Sequence, residues 1–272
     1  MKKLLIIPFL ILSGFVGKAQ MEIGVFGGGS FYMGDLNPNV PFLQTNIAYG
    51  VLARYALGSR WAAKVHLYKG ILNGDDSKSN FLPERSLKFN SSIWELGGVG
   101  EFNFLPYFTG SLKNYFTPYI FGGAALLYHR PKVGRLDLRD FNTEGQENAT
   151  LLEPSNPEER RYSYFTLSIP FGVGVKYSFS KRIAVTIEWG MRKTFTDYID
   201  DVSMTYYFNT SELQPGQVVE GLTYSDPNLN HEANMQRGNS KNNDWYSFAG
   251  FTLTYYINMR DRNKCSEFEE RY

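Results

Sequence analysis

Three aspartates and one histidine are the residues of this chain whose types suit acid–base chemistry. The segment FTDYIDD supplies Asp197, Asp200 and Asp201, and His231 follows further along the chain. An Asp–His pair can activate water or a serine hydroxyl. However, the sequence contains neither a G-x-S-x-G nor an H-E-x-x-H motif, and carboxylates in a segment rich in Asn, Asp and Ser usually cap turns. We therefore predict no catalytic residue.

Calcium is the other chemistry that these carboxylates suggest. A calcium loop of the EF-hand type has the spacing D-x-[DN]-x-[DN]-G, which FTDYIDD lacks. The glycine-rich stretch EIGVFGGGSFYMGDLNP, from Glu22, also lacks the spacing of a phosphate-binding loop, and no helical pattern follows it. The sequence predicts neither a metal site nor a cofactor.

Cys265 is the only cysteine, and it lies in the charged C-terminal segment NMRDRNKCSEFEERY. In an exported protein, an unpaired cysteine indicates either a disulfide to another protein or a free reactive thiol. The residues alone leave both interpretations open.

Residues 1–19 have the three parts of a secretory signal peptide. Lys2 and Lys3 form the basic start, an apolar run extends from Leu4 to Val16, and Gly17-Lys18-Ala19 is a small-x-small cleavage site. The apolar run is shorter than the roughly 20 residues that span a bilayer. We therefore expect cleavage and an exported mature chain that begins at Gln20.

The composition of the chain restricts its class. A formal net charge of +1 gives no concentrated basic surface, so nucleic acid is not an expected partner. Aromatic residues make up 16% of the chain, alongside 26 glycines. This combination is typical of outer-membrane barrels, in which lipid-facing and lumen-facing positions alternate and aromatic residues lie at both membrane boundaries.

Eight segments alternate apolar and polar residues with the period of a β-strand. In the third, Val65 and Leu67 share one face while Lys64 and His66 share the other. An even number of strands of about 9–11 residues fits an antiparallel up-and-down barrel that crosses a membrane. The predicted fold is therefore an all-β, eight-stranded outer-membrane barrel over residues 20–258. Its strands are 21–32, 46–56, 60–72, 92–104, 115–129, 163–177, 182–193 and 244–258.

Short and long connections alternate around this predicted barrel. Long external loops are expected near 33–45, 73–91, 130–161 and 194–243, because outer-membrane barrels have short periplasmic turns and long external loops. Both termini are then periplasmic, and residues 259–272 form a periplasmic tail that carries Cys265. A soluble sandwich or lipocalin-like barrel is the alternative fold, and it would place the aromatic face inside and the charged face outside.

The lumen face of the predicted strands carries nearly all of their charge. An eight-stranded barrel is only wide enough for side chains to fill, and unpaired charges inside it are costly. We therefore predict a plug of ion pairs, although a proton or ion pathway remains open. Lumen-side glycines are expected to make room for large side chains opposite. The predicted plug residues are Arg54, Lys64, Glu95, Glu101, Glu188 and Arg192.

Three features resemble a known family. The segments EIGVFGGGSFYMGDLNP and RKTFTDYIDDVS, and a cysteine shortly after the last strand, resemble the PorG-type outer-membrane barrels of the type IX secretion system of Bacteroidetes. The resemblance implies a non-enzymatic component associated with a periplasmic ring of a PorK-type lipoprotein and its PorN-type partner. It implies that Cys265 links to the lipoprotein, with supporting tail contacts from Arg260, Arg262, Lys264 and Glu267.

Two other functions remain open from the sequence. One is a small outer-membrane hydrolase or acyltransferase with a site at the barrel rim, in the 194–243 loop. The other is an adhesion or ligand-binding barrel whose long external loops carry the function. In every interpretation the expected surroundings are outer-membrane lipid, in a Gram-negative bacterium.

Overall fold

Eight long strands dominate the computed structural model, which describes residues 20–145, 162–210 and 220–257. The predicted signal peptide and the whole predicted C-terminal tail lie outside these residues. Two short strands, β6 (Pro131–Val133) and β7 (Leu136–Asp137), accompany the long ones. The long strands are β1 (Gln20–Met33), β2 (Asn46–Ala56), β3 (Trp61–Asp75), β4 (Lys88–Asn103), β5 (Phe116–Tyr128), β8 (Phe165–Ser178), β9 (Ile183–Thr194) and β10 (Trp245–Ile257).

The long strands close into a barrel. Each pairs antiparallel with the next along the sheet, in the order β3-β2-β1-β10-β9-β8-β5-β4, and β4 pairs back to β3. The first and last strands are in register from Met21 opposite Ile257 to Met33 opposite Trp245. The predicted eight-stranded antiparallel barrel is therefore confirmed, and its closure pairs the first long strand with the last instead of leaving both as sheet edges.

The two faces of the wall have opposite chemistry. Along β3, exposed and buried residues alternate strictly from Trp61 to Tyr68, with Val65 exposed and Lys64 buried. Large exposed apolar side chains surround the barrel, while most charged residues of the long strands, such as Arg54, Glu101 and Glu188, are buried inside it. This is the reverse of a soluble barrel, so the soluble alternative is wrong and the wall is that of a transmembrane barrel. The apolar belt includes Val25, Val51, Leu67, Leu96, Val173, Ile187 and Leu253.

The β3–β4 ribbon is longer than the sequence pattern predicts. β3 continues to Asp75 and β4 begins at Lys88, and β6 adds to the free side of β4 with Asn90 opposite Lys132. The outward residues of this extension are polar, so the hydrophobic alternation that located the strands ends before the ribbon does. A ladder of amides crosses it instead: Asn90 Nδ2 donates to Asn73 Oδ1 at 2.6 Å, and Asn73 Nδ2 donates to Asn46 Oδ1 at 3.0 Å.

The long connections fold over one end of the barrel. They contain the short helices α1 (Asp76–Ser79) and α2 (Glu220–Ser225) and a 3₁₀ turn at Pro83–Arg85. None of the helices within the described ranges has the length and apolar character needed to cross a bilayer. Buried side chains from these loops, including Leu36, Leu138 and Ile199, join the lumen aromatics Phe89 and Phe248 in one apolar core.

Glycines of the wall admit large side chains and close backbone approach. A Cβ at Gly28, in the middle of the GGG stretch, would lie 2.2 Å from the Ala249 carbonyl oxygen. A Cβ at Gly97 would lie 2.5 Å from the His66 ring, whereas a Cβ at the adjacent Gly98 would meet nothing within 4 Å. The predicted use of lumen-side glycine therefore applies at Gly97.

These adjacent glycines provide a matched test of how tightly the lumen is packed. We expect Gly97→Ala to lower the free energy of unfolding by about 1–3 kcal/mol, the usual cost of overpacking, because the His66 ring has to move. Gly98→Ala should change it far less, since its methyl would point into lipid. Urea unfolding of the refolded barrel in vesicles measures both, and equal destabilisation would contradict the close packing at Gly97.

Candidate functional site

Glu101 is the hub of the lumen's charged network. Its carboxylate lies 2.8 Å from Arg54 Nε, 2.6 Å from Lys176 Nζ and 3.6 Å from Lys64 Nζ. Glu101 has no exposed surface. A single carboxylate therefore balances cations from three strands, β2, β3 and β8, in a space without bulk solvent.

Two further carboxylates continue this network around the wall. Arg54 Nη1 donates to Glu22 at 2.9 Å, and Lys64 Nζ donates to Glu188 at 2.8 Å. Glu188 also accepts a hydrogen bond from Tyr119 Oη at 2.7 Å. Strands that are not neighbours in the sheet are thus joined across the lumen.

A second charged cluster centres on Glu95. Its carboxylate lies 2.6 Å from His66 Nε2 and 3.2 Å from Arg192 Nε, and it accepts a hydrogen bond from the Tyr246 hydroxyl. Between the two clusters the Phe26 and Tyr68 rings stack at 4.5 Å. The structure thus places all six residues of the predicted plug in two linked clusters, and the lumen is filled by side chains.

The short connections, residues 57–60, 104–115 and 179–182, lie at one end of the barrel, the short-turn end. The turn between β4 and β5 closes this end. Its residues Tyr107 and Thr109 are buried, and the Thr109 hydroxyl donates to Glu22 inside the lumen. Gly110 N donates to Ser178 Oγ at 2.8 Å, which ties the turn to β8. Sequence alternation gave no indication of this inserted turn, because the segment belongs to no strand.

A cluster of buried aspartates lies under the long loops at the opposite end. The Tyr32 hydroxyl donates to Asp200 and, at 3.3 Å, to Asp244. Backbone N–H groups hold the same carboxylates: Ile199 N donates to Asp244 at 2.9 Å, and Val202 N donates to Asp200 at 2.9 Å. The aspartates thus fasten the TDYIDD segment to the mouth of the barrel, as capping residues of turns do. We call the loops that close this mouth around Tyr32, Asp200 and Asp244 the cap.

Two buried arginines join the remaining loops to this cap. Arg85 binds Asp76 in bidentate fashion at 2.8 and 2.7 Å and donates to the Asp35 carbonyl at 2.9 Å. Arg237 donates to the Asp201 carbonyl at 2.6 Å and pairs with Glu144. The GDLNP and TDYIDD segments are therefore parts of one structure. Nothing in the local sequence around the two arginines indicates this role, since each is an isolated cation in a loop.

His231 pairs with Asp226 and not with the aspartates of TDYIDD, the pairing that a rim enzyme would need. Its Nδ1 lies 2.9 Å from Asp226 Oδ1, and its ring stacks on Tyr206 at 4.3 Å. Thr210 Oγ1 also donates to Asp226. Meanwhile Asp201 accepts hydrogen bonds from Tyr162, at 2.6 Å, and from Thr143.

The cap residues also bear on the metal question. In the part of the chain that the structure describes, no group of three or more His, Cys, Asp or Glu side chains is arranged to hold a metal ion.

Cys265 and the tail residues Arg260, Arg262, Lys264 and Glu267 lie outside the described residues. The proposed disulfide therefore has no geometry to report.

Burial raises the pKa values of three aspartates in the cap. It raises the pKa of Asp197 to about 8, against the opposing hydrogen bond from Ser203 Oγ at 2.6 Å. The pKa values of Asp200 and Asp244 are also raised, chiefly by burial and then by neighbouring carboxylates, of which Asp35 acts most on Asp200 and Asp200 most on Asp244. A protonated carboxyl group is the stable form in such surroundings.

The stability of the cap should consequently fall as pH rises. The pKa of Asp197 is about 4 in an unfolded chain and about 8 in the folded one, so the folded state binds the proton more tightly. The resulting stabilisation is complete below about pH 4 and is lost as pH rises to about 8. We expect Asp197→Asn to weaken this pH dependence, and Glu232→Gln, on the exposed surface of the same cap, to leave it unchanged. Hydrogen exchange of residues 197–203 at pH 5 and pH 8 measures both, and parallel curves for wild type and Asp197→Asn would contradict it.

The comparisons with known proteins give a family and a set of distant structures. No curated protein sequence matches the chain. Three solved structures resemble it at low identity. The Neisserial surface protein A is 8% identical with a TM-score of 0.43 (89% of this chain, 98% of that chain). The N-terminal β-barrel domain of Pseudomonas aeruginosa OprF is 10% identical with a TM-score of 0.38 (88% and 100%). A major outer membrane protein from Thermus thermophilus is 12% identical with a TM-score of 0.37 (89% and 100%).

At these identities and TM-scores, the three structures add nothing to the architecture that the strand pairing already shows. The sequence itself matches one family model, described as a domain of unknown function (DUF6089), over residues 2–219 and 216–266. These ranges cover the signal segment, the barrel and the first part of the tail. The chain is therefore a member of the DUF6089 family.

Proposed function

We propose that this chain is a non-enzymatic outer-membrane component of a type IX protein secretion machine. In this role it anchors or stabilises a periplasmic ring through its short-turn end and its C-terminal tail. The observation that carries the proposal is a transmembrane barrel filled with paired charges and closed at both ends. Such a barrel offers its surfaces, rather than a channel, for function.

The interior supports a structural role. The Glu101 cluster and the Glu95 cluster occupy the lumen, the inserted turn with Tyr107 closes one end, and the aspartate cap closes the other. An exported protein moving through the barrel would have to break all of these contacts. A secretion component built in this way works by holding its neighbours in place at the membrane.

The short-turn end has the charge of a docking face. The three connections there, residues 57–60, 104–115 and 179–182, carry four exposed basic residues and no Asp or Glu. A surface of one sign attracts a partner of the opposite sign and fixes its orientation. In the proposed orientation this end faces the periplasm, together with both termini and Cys265. The four residues are Arg60, Lys113, Lys181 and Arg182.

The resemblance to PorG-type barrels supports the identity of the machine. GDLNP and TDYIDD, two of the segments that carry the resemblance, meet in the external cap through Asp35, Arg85 and Arg237. A PorK-type lipoprotein and its PorN-type partner are then the proposed ring. Cys265 is the proposed covalent link to the lipoprotein, and the periplasm is an oxidising compartment in which such a disulfide persists.

The covalent link has a direct test. Envelopes prepared with a thiol-blocking reagent and run on non-reducing gels should show this chain in a heavier adduct that disappears with reductant. Cys265→Ser should abolish the adduct, because no other cysteine is present to replace it, while barrel assembly stays normal. An adduct that persists in Cys265→Ser, or none in wild type, would exclude the disulfide.

The basic face has its own test. We expect Lys113→Glu/Lys181→Glu to lower recovery of the ring lipoprotein in detergent pulldowns roughly tenfold at low salt, because exposed charges at an interface act through long-range attraction. The matched control is Lys88→Glu/Lys132→Glu, which reverses two charges at the opposite end and should leave recovery unchanged. Equal recovery from both double variants, with secretion intact, would count against docking at the short-turn end and favour the adhesion or rim-enzyme function.

A further inference from the structure

A positively charged cleft lies on the outward side of the extended β3–β4 ribbon, beside β6 and β7. Its volume is about 530 Å³, and polar residues of both strands form its floor, including Asn73 and Asn90. Exposed or half-exposed cations line it: Lys78 in α1, Lys88 at the start of β4, Lys132 in β6 and Arg135 in the following turn.

These four cations differ from three arginines near this end of the barrel. Arg85, Arg130 and Arg237 each pair with a carboxylate. Within the residues that the structure describes, Lys78, Lys88, Lys132 and Arg135 form no ion pair. Four unpaired cations around one cleft repel each other, so a bound anion would relieve a cost that the fold otherwise carries.

The nearby carboxylates are committed elsewhere. Asp75 also lines the cleft, but its Oδ1 accepts hydrogen bonds from Ser77 N at 3.0 Å and Ser77 Oγ at 2.5 Å, as the N-cap of α1. Asp137, opposite Lys132 in the strand register, is held by Arg130 and by Tyr164 Oη at 2.9 Å. The lining of the cleft thus carries four cations and one carboxylate, that of Asp75, which lies opposite Lys88 in the strand register, so its net charge is positive.

Polarity changes in order along the outward face of this ribbon. Leu67 and Leu96 are paired within the apolar belt, and the next outward pair, Lys69 and Trp94, places the ammonium 4.9 Å from the ring centre. Lys and Trp in such positions mark a membrane boundary. Beyond them come Ile71 opposite Ser92, then the bonded amides of Asn73 and Asn90, and then the cations of the cleft.

We propose that this cleft binds the phosphorylated sugar headgroup of an outer-leaflet glycolipid whose acyl chains lie along the Leu67–Leu96 face. The inference rests on the proposed orientation, in which the long loops lie outside the cell. Ammonium groups bind phosphate as point charges, and amide side chains donate to sugar or phosphate oxygens. The unbroken path from cleft to apolar belt favours an anchored lipid over a free phosphate.

Native mass spectrometry of the purified mature chain in detergent micelles tests the site. The first probe is an acylated glucosamine disaccharide with two phosphates, and the second is the same lipid after enzymatic removal of both phosphates. We expect the phosphorylated lipid to bind at least about tenfold more tightly. Equal binding of the two lipids would overturn the proposal. Soluble glucosamine 6-phosphate that competes at the lipid's own concentration would also overturn it, because the site would then serve a free anion.

Matched variants locate the binding. Lys88→Gln/Lys132→Gln should weaken binding of the phosphorylated lipid about 10- to 30-fold, as expected for two lysines at a membrane surface. Lys113→Gln/Lys181→Gln removes the same charge at the other end and should have no effect. An equal loss in both variants would show attraction by net charge alone and would reject the cleft.

The orientation has a separate readout. A membrane-impermeant amine reagent applied to intact cells should label Lys88 and spare Lys113, as shown by mass spectrometry of tryptic peptides. Labelling of Lys113 alone would reject the proposed orientation, and with it the secretion role, even if lipid binds in detergent. Loss of lipid binding with correct labelling would reject the cleft and leave the secretion proposal standing.

Discussion

The pairing of buried charges around Glu101 is the interaction on which the rest of this structure depends. Arg54, Lys64 and Lys176 enter the lumen from three different strands and meet at this carboxylate. Without it Arg54 and Lys64 would each keep one carboxylate, Glu22 and Glu188. Lys176 would be a buried charge with no ion pair to any residue that the structure describes. Closing eight strands into a cylinder brings those side chains to one place. These ion pairs fill the interior closely. An aromatic ring can therefore approach the wall only at a residue without a side chain, as the His66 ring does at Gly97.

A filled interior moves function to the two ends and the outer surface. One end is closed by a short inserted turn, and its three described connections carry exposed basic residues and no Asp or Glu. The other is closed by a cap in which buried aspartates from distant segments hold loop backbones through N–H groups. The two ends therefore differ in charge, in size and in response to pH. Such asymmetry suits a membrane component that meets different partners on its two sides. The proposed secretion role requires this, because the ring would bind at the short-turn end alone.

The outer surface adds a third kind of contact. The β3–β4 ribbon extends beyond the apolar belt. Its outward pairs run from leucines through a lysine–tryptophan pair and Ile71 opposite Ser92 to amides and unpaired cations. The strand period that builds the barrel wall thus continues into a surface suited to an amphiphilic anion. The proposed lipid site there and the proposed docking face at the opposite end use different residues, so each can be changed without altering the other.

The sequence by itself determined the wall of this protein. Period-two alternation over eight segments predicted the strand positions, the inward charges and the closed barrel. It could do so because successive side chains of a strand point to opposite faces, so that a short stretch of sequence shows which residues share a face. It did not give the partner of each charge, the turn that carries Tyr107 into the lumen, or the cap. Nor did it give the partner of His231, which pairs with Asp226, or the roles of Arg85 and Arg237. Only the tertiary structure decided these contacts, because they join residues distant in the chain whose separation depends on strand register and loop path rather than on any local pattern.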